Sequence, residues 1–89
     1  MISSDFKISN SLGLHARPSA QLTQLATRFA SEVWIARNGR RVNAKSIMGV
    51  MMLAAGQGSV VTVDVDGPDE TEALAAIGSL IESKFGELE

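Results

Sequence analysis

The feature that most constrains this chain is the strict alternation of Val61, Val63 and Val65 with Thr62, Asp64 and Asp66. Successive side chains of a strand point to opposite faces, so a segment of this kind buries one face and wets the other. The same period of two recurs over Asp5-Phe6-Lys7-Ile8-Ser9, over Glu32-Val33-Trp34-Ile35-Ala36, and at Val42 and Ala44. Between the last two of these, Asn38-Gly39 is a two-residue hairpin signal. A sheet of such strands needs cover on one face only.

Helical segments supply that cover. Leu22, Leu25, Ala26 and Phe29 fall at i, i+3, i+4 and i+7, one face of an amphipathic helix, and Pro18 marks its first turn. Ser46 precedes an apolar run, Ile47 to Ala55, which ends at Gly56 and Gly58, the punctuation of a short helix. Asp66-Gly67-Pro68-Asp69 reads as a turn. A last helix follows it, with Leu74, Ile77 and Ile81 on one face and Glu70 and Glu72 in the first turn, where the helix dipole favours them. The order β-α-β-β-α-β-α predicts an α+β fold, a two-layer open-faced sandwich with a four-stranded, mostly antiparallel sheet and three helices on one face. Without a repeat, low-complexity tract or linker, residues 1–89 are expected to form one domain.

Composition removes several chemistries. The chain has no cysteine, so it has no disulfide, no thiolate ligand and no thiol nucleophile. One histidine without cysteine excludes a His/Cys zinc site within the chain, and no metal or cofactor is expected. The net charge of −2 argues against nucleic acid. Arg37, Arg40, Arg41 and Lys45 lie close in sequence with only Trp34 near them, and the arginines read as part of a solvated turn and strand. No stretch reaches the roughly 20 apolar residues of a membrane span, and Met1-Ile2-Ser3-Ser4-Asp5 carries no basic leader region. A cytoplasmic monomer with no membrane insertion is expected.

The segment Leu12-Gly13-Leu14-His15-Ala16-Arg17-Pro18 places the only histidine immediately before a helix. Helix starts present unpaired N–H groups and the positive end of the dipole, which suit an anion. A phosphoryl group on His15 would sit over the backbone amides of Ala16 and Arg17, and the Arg17 side chain could reach its oxygens. His15, Ala16 or Arg17 could each be the N-cap, because a residue before proline is pushed away from helical geometry. Read this far, the segment admits two readings, an ordinary polar capping or loop histidine and an anion or phosphoryl site, and it offers no Ser-His-Asp hydrolase.

Gly13-Leu14-His15-Ala16-Arg17-Pro18 is similar to the active-site signature of the HPr family, the histidine-containing phosphocarriers of the bacterial phosphoenolpyruvate-dependent sugar phosphotransferase system. Asn43-Ala44-Lys45-Ser46-Ile47-Met48-Gly49-Val50-Met51 resembles the family's regulatory-serine segment. The resemblance spans essentially the whole chain. It implies a phosphoryl acceptor at Nδ1 of His15, assisted by Arg17, and a carrier with no cofactor that acts as an intermediate and not as a stand-alone enzyme. Implied partners are enzyme I as donor and enzyme II A components as acceptors. One departure is Ser19, where the family commonly has alanine, a small residue for which serine should be harmless.

Ser46 reads from its position as a helix N-cap. The resemblance adds phosphorylation by an HPr serine kinase/phosphorylase, whose added charge would repel an acidic partner. A helix of two turns cannot bury the whole run that follows. Val50 and Leu53 are the expected core pair, and Ile47, Met48 and Met51 the expected partner-docking patch. Two alternatives share these features: a regulatory binding module that docks through the methionine patch, and a nitrogen-branch paralogue with the same chemistry and other partners.

Overall fold

The computed structural model of the protein describes residues 1–87. Its elements are β1 (Ile2–Lys7), α1 (Ala16–Thr27), β2 (Glu32–Arg37), β3 (Arg40–Asn43), α2 (Ile47–Met52), β4 (Val60–Asp66) and α3 (Glu70–Glu82), followed by a 3-10 turn at Lys84–Gly86. The strands form one antiparallel sheet in the order β1-β4-β2-β3, and the helices cover one of its faces. This is the open-faced α+β sandwich that the alternating strands require.

Register follows the apolar pattern, because a slip of one residue would turn every valine to water. Val65 lies opposite Ile2 and Val33, Val63 opposite Ser4 and Ile35, and Val61 opposite Phe6. Val33, Ile35, Val61, Val63 and Val65 are buried against Leu22, Ala26, Val50, Ala73, Ile77 and Ile81 of the helices. Each valine, leucine and isoleucine among them contributes about 1.5–3 kcal/mol on leaving water. The other face of the sheet is polar. There Ser3 donates to Asp64, Thr62 to Asp5, and Arg41 lies 4.2 Å above the Trp34 ring while its Nε donates to Asp64 at 3.2 Å.

Several element boundaries differ from the sequence pattern, among them the end of α1, which stops at Thr27 and leaves Phe29 beyond the helix. β1 begins at Ile2, earlier than the alternation from Asp5 indicates, because Ile2 and Ser4 share the inward face of Phe6 and pair with β4. Ala44 lies just beyond β3, yet it is buried, and its amide donates to the Val33 carbonyl at 2.9 Å. α2 stops at Met52, short of Ala55. Leu53 caps it, and Ala54 takes a left-handed φ of 51° that turns the chain and lets Ala55 pack inward. Asn38 (φ 52°) and Gly39 (φ 82°) form the expected hairpin turn, which needs positive φ at both positions.

The basic residues near the hairpin are more engaged than a solvated turn. Arg37 donates to the Leu53 carbonyl at 3.1 Å and Arg40 to that of Met52 at 3.4 Å, satisfying the end of α2. Lys45 donates to the Phe29 carbonyl at 3.0 Å, just beyond α1. Sequence proximity reveals charge density, but the carbonyls that take these donors come from elements the local pattern does not connect.

Candidate functional site

His15 is the N-cap of α1, the first of the three alternatives left open by the sequence. Its backbone is extended (φ −76°, ψ −171°), as a residue before the first helical turn should be, and its carbonyl accepts from Ser19 at 3.0 Å. The imidazole makes no capping bond to the first turn. The amides of Ala16 and Arg17 are therefore left without an acceptor among the described residues, and Pro18 has no N–H to offer. Arg17 is exposed and forms no ion pair with any described residue. Free amides, a mobile-length cation and a half-exposed imidazole thus share one helix start.

The loop before His15 is held from below. Gly13 has φ +64°, and a Cβ there would lie 2.3 Å from the Ala55 carbonyl oxygen. Next to it, the Leu14 amide donates to that same oxygen at 2.9 Å. This contact joins the histidine loop to the segment that follows α2. Ser19, expected only to be tolerated, is completely buried, and its hydroxyl donates to the Leu14 carbonyl at 3.0 Å. It ties α1 back onto the loop.

A carboxylate completes the surroundings of the ring. His15 Nε2 lies 3.0 Å from Oε2 of Glu87, and the other Glu87 oxygen accepts from Asn10 Nδ2 at 3.2 Å. Asn10 is fully buried and also donates to the Gly13 carbonyl at 2.8 Å. Neither residue was legible as part of the site. Glu87 lies 72 residues from His15, and Asn10 reads as an ordinary turn former.

The second motif lies on α2. Ser46 is its exposed N-cap, and the hydroxyl oxygen accepts from the Gly49 amide at 3.1 Å. Val50 and Leu53 are buried, as the spacing requires. Ile47, Met48 and Met51 are 41%, 69% and 37% exposed, and Met52, at 60%, extends the same apolar arc. Met52 was not singled out, although its spacing of four from Met48 puts both on one helix face. Leu12, in the histidine loop, is a further exposed apolar residue.

Comparisons with known proteins agree with this architecture. A family model described as the phosphorylation site of the HPr component of the phosphotransferase system (PTS) matches residues 2–83. The chain is 63% identical over 87 residues to the phosphocarrier protein HPr of Cupriavidus necator, covering 98% of each. It is 53% identical to that of Neisseria meningitidis serogroup A, again covering 98% of each. The crystal structure of HPr-C-His from Thermoanaerobacter tengcongensis superposes with a TM-score of 0.96 at 48% identity, covering 100% of both chains. Fold and relatives define a phosphocarrier of the PTS. The chain belongs to the HPr family. No helix among the described residues is long and apolar enough to cross a membrane.

Proposed function

We propose that His15 is the phosphoryl acceptor of this carrier, receiving the group from phospho-enzyme I and passing it to sugar-specific enzyme II A components. The observation that carries the reading is the pairing of a half-exposed imidazole with the unpaired Ala16 and Arg17 amides at the start of α1. With Nε2 engaged by Glu87, Nδ1 is the nitrogen left to attack phosphorus. The transferred group carries its charge on equatorial oxygens, which the two amides and the Arg17 guanidinium would receive. Carrier and partner supply positioning and electrostatics together, so the chain needs no metal or cofactor of its own. The carrier works as a cytoplasmic monomer and turns over only as an intermediate between two partner proteins.

Docking falls to Ile47, Met48 and Met51, with Met52 at the margin of the patch. Methionines adapt to differently shaped surfaces, as a protein that must meet both a donor and several acceptors requires. Ser46 lies at the start of the same helix. Its phosphorylation by an HPr serine kinase/phosphorylase would add about two negative charges at the docking face. Residues 1–89 act as one domain in this scheme, since the histidine loop meets the segment that follows the docking helix at the Leu14–Ala55 contact.

The test is incubation with phosphoenolpyruvate and enzyme I followed by intact-mass measurement. One acid-labile, alkali-stable phosphoryl group is expected, absent from His15→Ala. An acid-labile phosphate that persists in that variant refutes the assignment. Arg17→Ala is expected to slow single-turnover transfer with little change in melting temperature, and unchanged rates in both directions refute its role.

A further inference from the structure

The chain beyond α3 is built with unusual care for four residues at the end of a helix. Lys84, Phe85 and Gly86 have φ of 58°, 57° and 77°, three successive left-handed residues of which two carry side chains. Single left-handed non-glycine residues are uncommon, and such strain persists only where surrounding contacts over-determine it. Here the determinant is Phe85, which is 2% exposed and packs into the main core. The amides of Gly86 and Glu87 close the turn on the carbonyls of Ser83 and Lys84, at 3.1 and 3.0 Å. The outcome is that Glu87, 17% exposed, lies against the imidazole of His15. This tail lies beyond residues 2–83, the part matched by the family model.

We propose that Glu87 is a positioning residue for His15, delivered by the Phe85-anchored turn, whose carboxylate keeps the ring proton on Nε2 throughout the phosphoryl cycle. The inference rests on the carrier reading above and concerns how that one site is governed. An ionised carboxylate only accepts hydrogen bonds, so the 3.0 Å contact requires N–H on Nε2, and in the neutral ring that leaves the Nδ1 lone pair bare. Asn10, buried and donating to the second oxygen of Glu87, fixes the carboxylate as an outer partner fixes a catalytic group.

The chemistry then balances without moving a proton. On acceptance, the Nδ1 lone pair forms the N–P bond while the bond from phosphorus to the donor's leaving atom breaks, its electron pair leaving with the donor. The ring keeps its Nε2 proton and becomes cationic, and Glu87 supplies the counter-charge. On delivery, the acceptor's nucleophile bonds to phosphorus and the N–P pair returns to Nδ1, releasing a neutral imidazole. A ring without the Nε2 proton would have to depart as an anion, a far poorer leaving group.

Two measurements test this on wild type, Glu87→Ala and Glu87→Gln, each checked for an unchanged melting curve with Phe85 left in place. Ring 15N shifts of the unphosphorylated protein in alkaline solution, where the imidazole is neutral, report the tautomer. The Nδ1–H form is expected to be about tenfold more populated in Glu87→Ala than in wild type, the scale of one charge-assisted hydrogen bond. Glu87→Gln, whose carbonyl can still accept from Nε2, should restore the tautomer. Rapid-quench delivery from phospho-His15 to an enzyme II A component should then be slowed in both variants at an unchanged apparent KM, since Gln restores the geometry without the charge. Equal tautomer ratios in wild type and Glu87→Ala, or wild-type delivery rates in both variants, overturn the proposal. A wild-type protein that takes no phosphoryl group overturns the carrier reading instead, and the tautomer ratio still decides the Glu87 assignment.

Discussion

Replacing Gly13 by alanine tests whether the histidine loop is seated as described. The residue has φ +64°, and an added Cβ would lie 2.3 Å from the Ala55 oxygen and 2.6 Å from the Gly56 Cα, both backbone atoms that cannot rotate away. The left-handed conformation alone costs an alanine roughly 1–2 kcal/mol. Moving the loop to relieve the overlap breaks the Leu14–Ala55 hydrogen bond, at about 0.5–1.5 kcal/mol. Alanine returns roughly 0.4–1 kcal/mol by narrowing the unfolded ensemble. The balance is a loss of about 0.5–3 kcal/mol before any disturbance of the buried Leu14 is counted. Gly39→Ala is the internal control, since Gly39 has a similar φ of +82° but nothing within 4 Å of the added carbon. It should cost only the conformational difference, well under Gly13→Ala. Urea unfolding of both variants measures the contrast, and phosphoryl acceptance by Gly13→Ala should fall as His15 is displaced. Equal destabilisation by the two substitutions would refute the close approach of the loop to the chain after α2.

Other outcomes follow from single contacts. Val50→Ala should lose roughly 1–3 kcal/mol in denaturant unfolding, whereas Met48→Asp should weaken enzyme I binding with its melting temperature held; equal destabilisation would place Met48 in the core. Ser46→Asp keeps a good N-cap, so its stability should hold while the apparent KM for enzyme I rises, an effect that shrinks with added salt; identical kinetics at low salt would leave Ser46 only a cap. The Asp69 carboxyl is held below the ordinary carboxylate range, first by the Ser31 hydroxyl and then by the Ala30 amide at 2.9 Å. A depressed folded-state pKa stabilises above the unfolded value and is lost as pH falls through the folded one. Asp69→Asn should therefore unfold more easily than wild type at neutral pH, and the gap should close in strong acid; a gap independent of pH would refute the charge as its cause.

The sequence by itself determined the sandwich, because every strand carries the period of two and α1 and α3 each carry one apolar face, and both signals are local. It also marked Ser46 as a helix start and narrowed the other start to His15, Ala16 or Arg17, since caps are read within a few residues. The approximate place of the docking arc followed from there being more apolar residues than a short helix can bury. Tertiary structure decided what local pattern cannot carry. Asn10, Glu87 and His15 meet because a buried Phe85 bends the tail back, and no propensity links positions 72 residues apart. Arg37 and Arg40 became caps of α2 because the hairpin folds beside carbonyls that a continued helix would have used. The early stop of α2 has the same origin: Ala54 accepts a left-handed backbone so that Ala55 can receive the Leu14 amide, a preference set by long-range packing over local propensity.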